Sequence, residues 1–152
     1  NELLILEEQL ALAEQLDQLV LVHTPHLEDK LKGTNLIMDA IENTSLSPDR
    51  VLIDHVEEHT VRAVLDRGYW AGMTLYPDTK CTPQRAADII EMHGTERLWI
   101  NSAGDWGPSD PLAVPKCRLE LASRGHTRSL IDTISFHNPQ LFLSQSGKFS
   151  IE

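Results

Sequence analysis

Along the chain, stretches whose apolar residues recur every three or four positions alternate with short runs that are apolar throughout. The first stretch, NELLILEEQLALAEQLDQ, puts Leu3, Leu6, Leu10 and Ala13 on one helical stripe with glutamates and glutamines between them, and predicts an amphipathic helix. "LVLVH" follows, apolar on both faces, as a strand in a helix-covered parallel sheet must be. TNLIMDAIEN, residues 34 to 43, reads as a helix capped by Thr34, and "RVLIDH", 50 to 55, as a second strand. TVRAVLDRG, 60 to 68, is a short helix between Thr60 and Gly68, and "YWAGMTLYP", 69 to 77, a third strand in which Gly72 signals a bend or close backbone approach. TPQRAADIIEMHG, 82 to 94, carries the strongest helix delimiters of the chain: Thr at the cap, Pro in the first turn and Gly past the end. "RLWINSAGD", 97 to 105, is the fourth strand with a polar exit. A helix follows within residues 110 to 125, its regular part expected mostly after Pro115, and the tail from Thr127 holds one further helix and an irregular end. A helix followed by four strand-and-helix units is the pattern of an α/β protein with a parallel sheet. No internal repeat and no linker divides the chain, so residues 1–152 are read as one domain.

Composition narrows the function classes. Thirteen Lys and Arg against 23 Asp and Glu give a net charge of -10, which repels phosphate backbones and anionic lipid and argues against an extended nucleic-acid surface. A small site could still handle phosphate if metal ions supplied positive charge. Two cysteines, Cys81 and Cys117, make no disulfide framework, so a reducing cytoplasm is the expected setting. The acidic, striped first 16 residues do not resemble a signal peptide, and no run reaches the roughly 18 apolar residues of a membrane span.

Three of the four strands end in a residue able to bind a metal: His23, His55 and Asp105. In parallel α/β architectures the loops after the strands surround the reaction site, so residues distant in sequence converge there. Imidazole and carboxylate are ligands of choice for zinc and similar ions, which lower the pKa of bound water to about 7. The set therefore points to metal-assisted hydrolysis. His26 and Trp106, each just past a strand end, are candidates for the rim of a substrate pocket, whereas His59 reads as a loop residue. Asp54 precedes His55 and is expected to face the opposite way. His93, His126 and His137 fall at helix ends or in the tail, Asp110 reads as a helix cap, and Trp70 and Trp99 as core. Lys80 and Arg85 are the basic residues closest to these positions and read as surface charges.

At these residues the chain resembles the TatD-like metal-dependent hydrolases, a family within the amidohydrolase group built on a (βα)₈ barrel. "EEQLALAEQLDQLVLVHTPH" is similar to the family's fourth helix and fifth strand, and "VLIDHVEEHTVRAVLDRGYWAGMT" to its sixth strand, following helix and glycine-containing seventh strand. "RLWINSAGD" resembles the eighth strand and "HNPQLFL" the closing helix. The stretches "HVEEH" and "SAGDWGPSDP" depart from the family's usual residues at those places.

The resemblance implies a barrel fold of which this chain supplies about the last four βα units, with the first half absent. It implies that His23 and His55 are metal ligands, and that Asp105 binds metal and handles the proton of the attacking water. It also implies two divalent ions (zinc, manganese or magnesium) and a phosphoester, amide or ester substrate. A complementary N-terminal half is the expected partner, because four units cannot close a barrel that typically needs about 250 residues. Two other readings stay open: a non-catalytic half-barrel serving binding or assembly, and a flavodoxin-like domain, which would lack the usual glycine-rich phosphate loop.

Overall fold

Four parallel strands, β1 (Val20–His23), β2 (Val51–Asp54), β3 (Trp70–Leu75) and β4 (Leu98–Ser102), stand side by side in the order of the sequence. The computed structural model describes residues 2–24, 29–76, 80–104 and 108–151. The helices are α1 (Glu2–Gln15), α2 (Lys30–Glu42), α3 (Val61–Asp66), α4 (Pro83–His93), α5 (Ala113–Ser123), α6 (Arg128–Asp132) and α7 (Asn138–Ser144). A π-helical segment, Thr133–His137, joins the last two. The α/β parallel sheet expected from the sequence is present. Each strand pairs with its predecessor, from Val20 opposite Val51 to Leu75 opposite Ser102. A flavodoxin-like sheet reverses its strand order at a switch point. The order β1-β2-β3-β4 has no reversal, which removes that alternative.

The two faces of the sheet separate by the period-two alternation of strand side chains. Val51 and Ile53, Ala71, Met73 and Leu75, and Leu98 and Ile100 join Leu10, Met38, Ile41, Val64, Ile89, Ile90 and Leu121 of the helices in the main core. Leu52, Trp70 and Trp99 point to the other face, where Phe142 of α7 closes the bottom of the sheet. Phe142 meets Trp70 and Trp99 edge-on, with ring centroids 5.8 and 5.4 Å away. Such aromatic pairs contribute about 0.5–1.5 kcal/mol each beyond area burial. Asn138 at the start of α7 donates to the carbonyls of Thr95 and Leu98, fastening the helix beneath β4.

Helix boundaries follow local chemistry. Thr82 caps α4 by accepting from the Arg85 amide, and Gly94 ends it at a positive φ of 79°. Thr127 caps α6 in the same way. The start expected at Thr34 is corrected: α2 begins four residues earlier, at Lys30, because Asp29 accepts from the Lys32 amide while the Thr34 hydroxyl turns inward onto the Lys30 carbonyl. Likewise α5 begins at Ala113, ahead of Pro115, since a proline in the first turn removes no helical hydrogen bond. Among the described residues no helix is long and apolar enough to cross a membrane. Leu3, Leu4, Ile5 and Leu12 of α1, Leu16 just past its end and Leu21 of β1 remain exposed. Among the described strands, β1 and β4 are paired on one edge only.

Phe142→Ala is expected to cost about 3–5 kcal/mol, the usual penalty for emptying a buried phenylalanine site. Urea denaturation followed by tryptophan fluorescence checks it, since the side chain lost is the one that touches both indoles.

Candidate metal centre

The carboxyl ends of β1 and β2 bring His23, Asp54 and His55 together. His23 is the last residue of β1 and its ring is largely exposed, whereas the His55 side chain is only 11% exposed. The His23 Nδ1 and His55 Nε2 atoms lie 3.0 Å apart, with the ring centroids 4.7 Å apart. Asp54 Oδ2 is 3.2 Å from His23 Nδ1 and 3.4 Å from His55 Nδ1.

The placement of Asp54 corrects the sequence-based expectation. Strand alternation sends Asp54 to the face of Leu52, away from the main core, and would send His55 to the other side. His55, however, lies just beyond the strand with φ +65°, in the left-handed region. That turn swings its ring back over the face that Asp54 occupies. Neighbours in sequence thereby become neighbours in the site, and the backbone strain of a non-glycine residue in this region is concentrated at a site-forming position.

Two further residues that sequence reasoning passed over hold this arrangement. Thr74 of β3 lies 3.0 and 3.1 Å from the two oxygens of Asp54 and 2.7 Å from His55 Nδ1. Asn101 of β4 donates to Asp54 Oδ1 at 3.0 Å. Both lie at alternate positions from Trp70 and Trp99, so the period-two pattern of those strands was the available signal. A carboxylate only accepts, so the Thr74 hydroxyl donates to Asp54 and its oxygen accepts from His55 Nδ1–H. The lone pair of His55 then resides on Nε2. The Lys80 ammonium, which can only donate, lies 3.1 Å from that same Nε2 and agrees with this tautomer. A hydrogen bond on one ring nitrogen that leaves the other open is the way in which metal-ligating imidazoles are commonly fixed. Burial, opposed by the Asp54 charge, pushes the His55 pKa down to about 4, which keeps the ring neutral and able to ligate.

Gly72 makes room for the carboxylate. A Cβ there would lie 2.6 Å from Asp54 Oδ1 and 2.9 Å from Trp99 Nε1, so the close approach expected at this glycine is real. The Trp99 indole N–H is buried without a hydrogen-bond partner among the described residues.

Ion pairs lock the loop after His55. Lys30, buried at the start of α2, binds Glu57 at 2.5 Å, and Arg85 of α4 reaches both Glu57 and Glu58. Burial opposes ionisation of Glu57, but the bond and charge of Lys30 outweigh it and hold its pKa below the usual carboxylate value. His59 joins Glu57 and Glu58 in a cluster whose acidic members are already engaged by these cations. His126 pairs with Glu91 at 2.8 Å, and His137 packs on Phe136. The helix-cap reading of Asp110 is corrected: Leu112 is the N-cap of α5 and makes no side-chain cap bond, and Asp110, two residues earlier, accepts from the Leu112 amide and from Lys116. His26, Asp105 and Trp106 lie outside the described residues.

The chain matches no protein-family model. It is 27% identical over 138 residues to an uncharacterized metal-dependent hydrolase of Methanocaldococcus jannaschii, a match covering 91% of this chain and 54% of that protein. The crystal structure of a TatD-like protein from Archaeoglobus fulgidus superposes with a TM-score of 0.69 at 28% identity, over 91% of this chain and 52% of that one. The chain is similar to the TatD-like metal-dependent hydrolases. A β-aspartyl dipeptidase from Fervidobacterium islandicum superposes with a TM-score of 0.60 over 80% of this chain and 36% of its own, at 15% identity, which speaks for the fold alone. The chain thus spans about half the length of its TatD-like relatives, and its unreversed parallel sheet corresponds to about half of their barrel.

Two outcomes follow from this geometry. Gly72→Ala is expected to destabilise the chain by about 1–3 kcal/mol through overpacking, read by urea denaturation, with Gly94→Ala as a control that meets no neighbour but bears the positive-φ strain. In metal-free buffer, His55 stays neutral in the folded chain down to about pH 4, while the unfolded chain takes up its proton near the ordinary histidine value of 6.5. The unfolded state binds more protons in that window, so the contribution of His55 is complete above it and declines as the pH falls through it. Denaturation midpoints of the wild type and His55→Gln measured across the window should converge at its acidic end.

Proposed function

We propose that this chain carries part of the site of a metal-dependent hydrolase of the TatD-like type. The observation that supports it is the convergence of His23 Nδ1 and His55 Nε2 to 3.0 Å, with a buried carboxylate beside both rings. Two imidazoles and a carboxylate are a donor set suited to zinc, and imidazole and carboxylate oxygen extend the choice to manganese or magnesium. A divalent ion supplies water of lowered pKa, about 7, and polarises the bond to be cleaved.

In this reading His23 and His55 hold divalent ions, two in the complete site, and Asp54 with Thr74 fixes the His55 ring so that Nε2 faces the ion. Asp105, at the exit of β4, contributes a further carboxylate and accepts the proton of the attacking water. His26 and Trp106 line the rim where substrate enters. The bond cleaved is a phosphoester, amide or ester. The remaining ligands come from a complementary barrel half that pairs with the edges of β1 and β4 and covers Leu21. Burial pushes both Cys81 and Cys117 up to about 12, leaving inert thiols that suit a reducing cytoplasm.

A second reading, a non-catalytic half-barrel used in assembly, draws on the exposed apolar face of α1. Metal content separates the two. Elemental mass spectrometry of the chain after exchange into metal-free buffer should find bound divalent metal, lost in His55→Ala. Metal equal in both proteins removes His55 from the site, and none in either favours the assembly reading. In the protein with its full complement of ligands, Asp105→Asn should remove most turnover while circular dichroism stays unchanged. Unchanged turnover would sink the role given to Asp105.

A further inference from the structure

The two tryptophans on the Phe142 face of the sheet differ in one respect. The Trp70 indole N–H donates to the Asp49 carbonyl at 2.9 Å, as a buried indole ordinarily finds an acceptor. Trp99 is 6% exposed, and its N–H has no acceptor among the described residues. An unmade buried donor is costly, so its surroundings call for an explanation. Strand register supplies the setting: His23 pairs with Asp54, Asp54 with Gly72 and Gly72 with Trp99, so the four stand in one row across the sheet. With no side chain on Gly72, Asp54 and Trp99 approach one another over its Cα. The point where a Cβ of Gly72 would stand is 2.6 Å from Asp54 Oδ1 and 2.9 Å from Trp99 Nε1. One of these atoms accepts and the other donates, yet they make no bond to each other.

We propose that a fixed water molecule stands over Gly72, accepting from the Trp99 N–H and donating to Asp54 Oδ1, which makes Trp99 a positioning residue of the metal centre. The positioning role rests on the metal reading given above. A carbon bonded to Gly72 Cα is held too close to both groups. A water oxygen is at hydrogen-bond distance at such separations, and it is free to stand further from the backbone. Buried waters take two to four polar partners, and this row offers a donor and an acceptor. Asp54 has capacity for the bond: Oδ1 accepts from Asn101 at 3.0 Å and shares the single Thr74 proton with Oδ2. Asp54 and Thr74 in turn set the His55 ring, so the indole acts on Nε2 through water, carboxylate and hydroxyl without touching the ion. Glycine and tryptophan are then one device: the first leaves the space, and the second supplies the donor.

The test compares the wild-type chain with three replacements. Trp99 is exchanged for benzothienylalanine, which keeps the bicyclic shape and puts sulfur in place of N–H. Gly72→Ala fills the proposed water position, and His55→Ala removes a ligand. In the metal-free wild type, labelled with heavy nitrogen, the Trp99 indole proton should show a rotating-frame NMR cross-peak to water, with the dipolar sign of a long-lived bound molecule, and Gly72→Ala should lack it. Calorimetric titration with zinc should give about 10-fold weaker binding in the benzothienyl protein, the lower end of the effect of groups that orient metal ligands, with circular dichroism unchanged. Absence of the cross-peak from the wild type, or its persistence in Gly72→Ala, overturns the water. Equal zinc affinity in the wild type and the benzothienyl protein overturns the positioning role of Trp99 and leaves the metal centre standing. No zinc binding by the wild type, or equal binding by His55→Ala, overturns the metal reading and the positioning role with it, whereas the water is decided by its own cross-peak in the metal-free chain.

Discussion

The site depends on one buried carboxylate. Asp54 is 5% exposed, and an ion so placed loses several kcal/mol of hydration unless its surroundings replace it. Here the replacement is spread over the sheet: Thr74 from β3, Asn101 from β4, His23 from β1 and His55 from the end of β2 itself. Every strand therefore contributes to satisfying the same group. Register errors in the sheet would leave Asp54 buried and short of donors, so the requirement that organises the site also helps to specify the pairing of the strands.

The electrostatics around that carboxylate run against the character of the whole chain. With a net charge of -10 the chain is broadly acidic, yet Lys30 at the start of α2, Lys80 after β3 and Arg85 of α4 gather around His55 and the glutamates that follow it. Glu57 and Glu58 absorb two of these charges and use them to hold the loop after β2. The loop that bears the strained His55 is restrained by the ion pairs of Glu57 and Glu58, as expected where a costly backbone conformation must persist.

Much of the fold was legible in the sequence because its helices are marked by residues whose local chemistry is strong. Thr82, Pro83 and Gly94 bound α4 without reference to anything else in the molecule. The start of α2 was not legible in the same way, since both Asp29 and Thr34 are competent caps and only packing turns Thr34 inward. At the site, His23 and His55 could be picked out by residue type and strand-end position, and the structure brings them together. Asp54 was separated from His55 because strict alternation was carried one residue too far, through His55 itself, whose positive φ returns its ring to the face of Asp54. Thr74 and Asn101 were passed over for a different reason: the period-two pattern gives their face but not their role, which comes from a partner 20 or 47 positions away.

The π-helical segment between α6 and α7 has a consequence for how this chain tolerates change. A single π turn amounts to one extra residue in a helix, which shifts the phase of everything after it by about 100°. Asn138 and Phe142, which fasten and fill the base of the sheet, both lie after Thr133–His137. Their orientation is thus written in the length of the preceding segment as well as in their own identity. A one-residue deletion there would yield a more regular helix and a worse protein, with the amide and the ring rotated away from the backbone and the indoles that they serve.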